Sequence, residues 1–223
     1  MSKTVKIRKG ANIKLVGSAE KTTSDTTLPS SFALKPADFH GMVPKLLLKE
    51  GAEVKAGTPI FYSKSNERIK FVSPVSGEIA EVVRGAKRKI LEVRIVADSE
   101  QKSEIAAPVD FSSFDRAKMA DALLDAGLWP FIKRRPYDII ADPTEAPKSI
   151  FVSGFDSAPL GADLNYILEG READFQMGID GLSKLTEGKV HLNIQSGSGS
   201  FMANAKNAQV NTFTGPHPAG LPG

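Results

Sequence analysis

LLLKEGAEVKAGTPIFY (46–62) and SPVSGEIAEVV (73–83) decide how this chain folds. Leu46, Leu47 and Leu48 make a short apolar run that stops at Lys49-Glu50-Gly51, and the next apolar segment stops at Lys55-Ala56-Gly57. Glycine thus closes each strand where a turn asks for a positive φ. Further on, Leu91, Val93 and Ile95 alternate with Glu92 and Arg94, the period of a strand with one buried and one wet face. The stretch predicts a small β sandwich or barrel over 45–97.

At 223 residues the chain is longer than one typical domain, so a second domain is expected. Gly17 to Ser31 is polar and rich in Ser and Thr, and residues 1–44 read as an N-terminal strand and extended arm packing on the β module. A polar, charged stretch over 98–112 has the composition of a linker. The second domain is assigned to 113–223. There, Ser112 and Ser113 are candidate N-caps for a helix carrying Ala117, Ala120, Leu123 and Leu124, which Gly127 would end. Strand-like runs at 149–155, 190–194 and 210–213 are separated by helical spacing at 172–185 and around 201–205, which predicts a parallel, doubly wound sheet.

Composition excludes several chemistries. There is no cysteine, hence no disulfide, thiolate metal site, cysteine-ligated iron-sulfur centre or cysteine nucleophile. A net charge of +3 is too dilute to argue for nucleic acid. The basic N-terminus never develops the apolar core of a signal peptide, and no run approaches the roughly 20 apolar residues of a membrane span, so a cytoplasmic, non-integral chain is expected.

Four features could carry chemistry. Gln195-Ser196-Gly197-Ser198-Gly199-Ser200 lies between a strand and a short helix, where amides could cradle phosphate, but it lacks the third glycine of a dinucleotide site and a Walker lysine, and reads better as a turn. Trp129-Pro130-Phe131-Ile132-Lys133-Arg134-Arg135-Pro136-Tyr137 interleaves aromatics with three consecutive cations. That pattern suits an anionic ligand, a ring system or an acidic partner, or a helix end anchored by aromatics and charge. Arg84 to Lys89 is most simply a solvated hairpin tip, with an interaction patch as the sharper alternative. Among the histidines, none has metal-ligand spacing; His191 on a strand reads as structural, and His40 as an exposed contact. No residue is assigned a catalytic or metal-binding role.

The two β segments resemble the halves of a lipoyl/biotinyl-type module, a barrel-sandwich hybrid, in which a modified lysine would be sought at Tyr62-Ser63-Lys64-Ser65. The wider pattern of Pro36 to Lys45, Ser73-Pro74-Val75-Ser76-Gly77, Arg84-Gly85-Ala86-Lys87-Arg88, Gly127-Leu128-Trp129, Arg135-Pro136 and Gly215-Pro216-His217-Pro218-Ala219-Gly220 resembles the NqrA family, one of the subunits of the sodium-translocating NADH:quinone reductases. More distantly it is similar to the Rnf complex C subunit and the flavoprotein subunit of complex I. The resemblance implies a biotinyl-like β domain followed by a Rossmann-like domain, in a peripheral subunit held by partner subunits at the cytoplasmic face of a bacterial inner membrane. It implies a complex that uses NADH, flavins, an iron-sulfur centre and quinone, with no cofactor bound by this chain and no catalysis by the chain alone. The family pattern continues past Leu221-Pro222-Gly223, which implies an N-terminal piece with an incomplete Rossmann-like domain. Family members tend to have Asp-Lys where this chain has Ser63-Lys64, and the phosphate-binding glycines of the complex I flavoprotein are not retained; both departures argue against a swinging arm and an FMN site. His40, Trp129, Lys133, Arg134, Arg135 and His217 are the candidate ligand or partner contacts, with quinone among the ligands. Two alternatives remain: a lipoyl or biotin carrier with Lys64 modified, and a nucleotide-dependent oxidoreductase using the Gly/Ser turn.

Overall fold

Of the alternating residues read from the sequence, Val93 and Ile95 are fully buried while Leu91 is 42% exposed, and the reason is a bulge. In a computed structural model describing residues 2–17, 19–105 and 110–220, Val83 pairs with Glu92 but Arg84 pairs with Ile90. Leu91 is the extra residue, so Ile90 turns inward in its place. In chain order the strands are β1 (Thr4–Lys6), β2 (Ser31–Leu34), β3 (Pro44–Leu46), β4 (Glu53–Val54), β5 (Pro59–Ser63), β6 (Asn66–Val72), β7 (Gly77–Arg84) and β8 (Ile90–Ala97). Then come α1 (Arg116–Asp125), β9 (Lys133–Arg134), β10 (Ile139–Ile140), β11 (Ser149–Ser153), α2 (Leu164–Ile167), α3 (Glu172–Lys184), β12 (Lys189–Gln195) and β13 (Gln209–Thr214).

Two compact units share these elements: Asp25–Ser113 with Ala117–Glu145, and Met1–Ser24 with Phe114–Arg116 and Ala146–Gly223. The first is the expected barrel-sandwich module. One sheet runs β2-β8-β7-β4, the other β3-β5-β6, all antiparallel. Ile60, Phe61, Ile79, Val93 and Ile95 fill the space between, each removed from water and each contributing about 1.5–3 kcal/mol. Gly51 and Gly57 do sit at positive φ in the turns.

Residues 98–105 are not the free linker that their polarity predicts. Lys102 N donates to the buried Ser76 Oγ at 2.9 Å, Ser76 N donates to Gln101 Oε1 at 2.9 Å, and Ser103 bridges Ala56. The segment straps the module because its polar groups satisfy backbone that would otherwise be orphaned. Residues 106–109 of the expected linker lie outside the described residues.

Helix α1 starts later than expected. Ser112 and Ser113 lie in a 3-10 turn, where Ser112 N is taken by Asp110 Oδ1 at 2.8 Å, and the helix begins at Arg116. Its end is as the sequence says. Leu128 N donates to Leu123 O at 2.9 Å and Gly127 N to Leu124 O at 3.2 Å, a Schellman closure with Gly127 at φ +69°. From Ala117 to Glu145 the chain clusters with the β module.

In the α/β unit four parallel strands are ordered β1-β13-β12-β11. The first strand, expected on the β module, instead edges this sheet: Thr4 pairs with Thr212 and Lys6 with Thr214, and Ile7 N donates to Thr214 O. It covers donors and acceptors of β13 that would otherwise form an open edge. One face buries Leu192, Ile194 and Met202 beneath Phe175, Leu164 and Leu168. The short α2 has no counterpart among the expected elements; Asp163 caps it by accepting from Asn165 N and Tyr166 N.

A Cβ on Gly127 would overlap Val72 Cγ1 on β6, and its φ is unfavourable for any L side chain. Gly127→Ala is expected to cost about 2 kcal/mol in urea unfolding, with Val72→Ala relieving the steric share and leaving the backbone share. A change under a few tenths of a kcal/mol would show that the helix end does not hold this contact.

Candidate functional site

Past the Schellman turn the chain cannot continue as helix, and Pro130 helps set a single 3-10 turn over Trp129–Phe131. Trp129 is 3% exposed and its Nε1 donates to Ala141 O at 2.8 Å, so its polar edge is satisfied inside the fold. Ala141 N in turn donates to Ile132 O at 2.9 Å, closing the base of the β9–β10 hairpin. Trp129 is an anchor.

The cations that follow are largely engaged. Lys133 Nζ stands 5.8 Å from the centroid of Phe39, Arg134 pairs with Glu145 at 2.9 Å and lies over Tyr137, and Arg135 faces Asp138 at 3.8 Å. Phe39 packs edge-on to Phe71 at 4.5 Å and to Phe131 at 6.4 Å. His40 is exposed on the turn after Phe39, beside Gly41, which approaches Ile139 of β10. Five of the six candidate residues therefore belong to one unit, with the hairpin and the Phe39 turn side by side. The exposed aromatics there are Phe131 at 69% and Tyr137 at 64%. Neither is among the candidates read from the sequence, although the interleaving of rings with cations contains them.

His217 belongs to the other unit. Its Nδ1 is 3.0 Å from Ser157 Oγ, its amide donates to Asn12 Oδ1 at 2.9 Å, and its carbonyl accepts from Ala11 N at 3.0 Å. It ties the N-terminal arm to the segment after β13.

Lys64 sits exposed at the β5–β6 turn, where a carrier module would present its lysine. Its amide donates to Val43 O, and Ser63 and Ser65 are hydrogen-bonded to each other at 2.8 Å across it. The Gly/Ser turn is poorly suited to phosphate. Ser196 N is spent on Phe213 O, Ser198 N and Oγ on Gln195 O, and Ser200 Oγ on Met202 N. These internal bonds occupy the amides of Ser196, Ser198 and Met202, which a phosphate cradle at this turn would draw on. Among the described residues no group of three or more His, Asp or Glu side chains could hold a metal, and no helix is long and apolar enough to cross a membrane.

Residues 5–98 match the NqrA N-terminal barrel-sandwich hybrid domain and residues 114–223 the NqrA second alpha/beta domain. The chain belongs to the NqrA family. A Photorhabdus laumondii protein, named for its place as a subunit of the Na(+)-translocating NADH-quinone reductase, is 34% identical over 221 residues, covering 98% of this chain and 49% of its own length. Proteins of the same name from Saccharophagus degradans and Neisseria meningitidis serogroup A are 34% and 35% identical over 221 residues, again 98% of this chain and 49% of their own length. The chain thus spans about half the length of the curated relatives it matches.

In this NqrA-family sheet the face opposite the buried core sets polar side chains among aromatic ones. His191 stacks on Phe151 at 4.9 Å and 14°, and Asn211 Nδ2 reaches Asn193 Oδ1 at 3.1 Å and His191 Nδ1 at 3.4 Å. Burial first, then the charges of Lys189 and Lys3, holds the imidazole below its ordinary value. The folded state thus prefers neutral His191. Its contribution to stability is complete above the ordinary imidazole value of about 6.5 and is lost as pH falls below it. His191→Gln should flatten the loss of stability between about pH 7 and pH 5, measured by urea unfolding. Superimposable pH profiles would remove His191 from that role.

Proposed function

We propose that this chain is the N-terminal part of a peripheral subunit of a Na⁺-translocating NADH:quinone oxidoreductase, held by partner subunits at the cytoplasmic face of a bacterial membrane. The observation that carries the reading is that both NqrA domains match in order, over 5–98 and 114–223. In this reading NADH, flavins, the iron-sulfur centre and quinone serve the assembled complex, and the chain supplies scaffold and docking surface. Its lack of cysteine and the internally bonded Gly/Ser turn favour that division of labour.

The docking surface is the exposed rim around Phe131, Tyr137, Lys133, Arg134, Arg135 and His40, with Trp129 fixing it from beneath. Aromatic rings over a rigid anchor, with arginines alongside, have the composition of interface hot spots. The Phe131 ring and the Lys133 ammonium also make this rim the place to seek a quinone contact, since a quinone offers a flat ring and carbonyl acceptors.

Because Arg134 is already paired with Glu145, two variants separate docking from folding. Phe131→Ala is expected to weaken assembly of the full-length protein with its partners, or quinone reduction, by about tenfold. Arg134→Glu combined with Glu145→Arg keeps the internal pair but moves the charge; it should fold normally and still assemble poorly. Normal assembly and kinetics in both would return the rim to a structural role.

The carrier alternative makes a different demand. Lys64 is expected to be unmodified by intact-mass measurement, and Lys64→Ala to leave turnover of the assembled complex within about a factor of two, as for solvated lysines generally. An added lipoyl or biotinyl mass, or lost turnover with intact assembly, would favour the carrier.

A further inference from the structure

The β7–β8 hairpin ends in the most concentrated unpaired charge among the described residues. Arg84, Lys87, Arg88 and Lys89 are all exposed, and none has a carboxylate within ion-pair distance among the described residues. Just behind the tip the pattern changes: Arg94 is held by both Glu81 and Glu92, and Lys35 by Glu92. The tip is left with four like charges and no counter-charge within ion-pair distance among the described residues.

The tip is also rigid. Lys87 and Arg88 both lie in the left-handed region, at φ +54° and +59°, where two consecutive side-chain-bearing residues are strained. Four hydrogen bonds hold that shape. Gly85 N donates to Lys89 O at 2.8 Å, Arg88 N to Gly85 O at 3.1 Å, Lys89 N to Ala86 O at 3.2 Å, and Arg84 Nη1 to Arg88 O at 3.2 Å. The bulged Leu91 lies directly against Gly85 and braces the turn.

We propose that this tip is a preformed docking element for an acidic protein surface, which, resting on the proposed membership of a reductase complex, is a surface of another of its subunits. Two observations favour a protein over a lipid headgroup layer. A fluid anionic surface needs charge but no register, and a flexible lysine run serves it. Here strained backbone and an arginine pinned on a carbonyl fix where the charges point, which lowers the ordering cost of binding carboxylates at set positions.

The test uses the full-length protein co-expressed with the remaining subunits of its reductase, recovered through a tag on one of them. Lys87→Glu with Arg88→Glu should cut recovery about tenfold, as for lost charge pairs at an interface. Lys87→Gly with Arg88→Gly, which relieves the strain and removes the charge, should cut it as well, so misfolding cannot be the cause. Lys9→Glu with Lys49→Glu, the same change of charge elsewhere, should not. Recovery of both tip variants at the wild-type level would overturn the proposal while leaving membership of the complex intact. Failure of the wild type to be recovered would overturn both. If recovery is unchanged but the wild type pellets with phosphatidylglycerol vesicles, not with phosphatidylcholine vesicles, and the tip reversal abolishes this, the occupant is lipid and the proposal is wrong.

Discussion

Phe71 is the residue on which the β unit turns. It stacks on Phe61 at 4.9 Å inside the sandwich and meets Phe39 edge-on at 4.5 Å, and Phe39 in turn meets Phe131. A line of four rings runs from a fully buried side chain to one that is largely exposed. Each contact is worth on the order of 0.5–1.5 kcal/mol beyond the area it buries. Together with the approach of Gly127 to Val72, they hold α1 and its hairpin against a sheet formed much earlier in the chain. The position of every candidate contact in this unit follows from that line.

Much of this architecture is legible locally. The glycine-closed strands of the β module, the Gly127 helix end and the alternating β12 are set by neighbours in sequence, where periodicity and turn chemistry are reliable guides. The failures are non-local. Leu91 has the right parity for the core and is expelled by a bulge, residues 98–105 have linker composition and are recruited by the buried Ser76, and β1 joins a sheet whose other strands lie far downstream. Nothing within a short window encodes such pairings.

For the site, residue type is informative and residue role is not. The run from Trp129 to Tyr137 stands out because rings and cations alternate there, yet the Trp129 ring is hidden and the exposed Phe131 and Tyr137 do not announce themselves. Arg134 and Arg135 look free in the sequence because Glu145 and Asp138 offer no periodic cue that they will pair. His40 and His217 are both candidate contacts in the sequence, and fall in different units.

The pairing of β1 with β13 also constrains the order of events as the chain is made. Thr4 finds its partner Thr212 only after 208 further residues. The intervening β unit, Asp25 to Glu145 apart from a short break, closes entirely within that interval. Closing so long a loop adds only a logarithmic entropic cost, about 0.6 kcal/mol per doubling of its length. The delay is the larger matter: until Thr214 has been synthesised, the Val5 strand waits as an unpaired β segment while a whole domain folds. In a growing chain, that waiting strand is the point most exposed to a wrong partner, and the basic residues around it, Lys3, Lys6, Arg8 and Lys9, are the kind that discourage one.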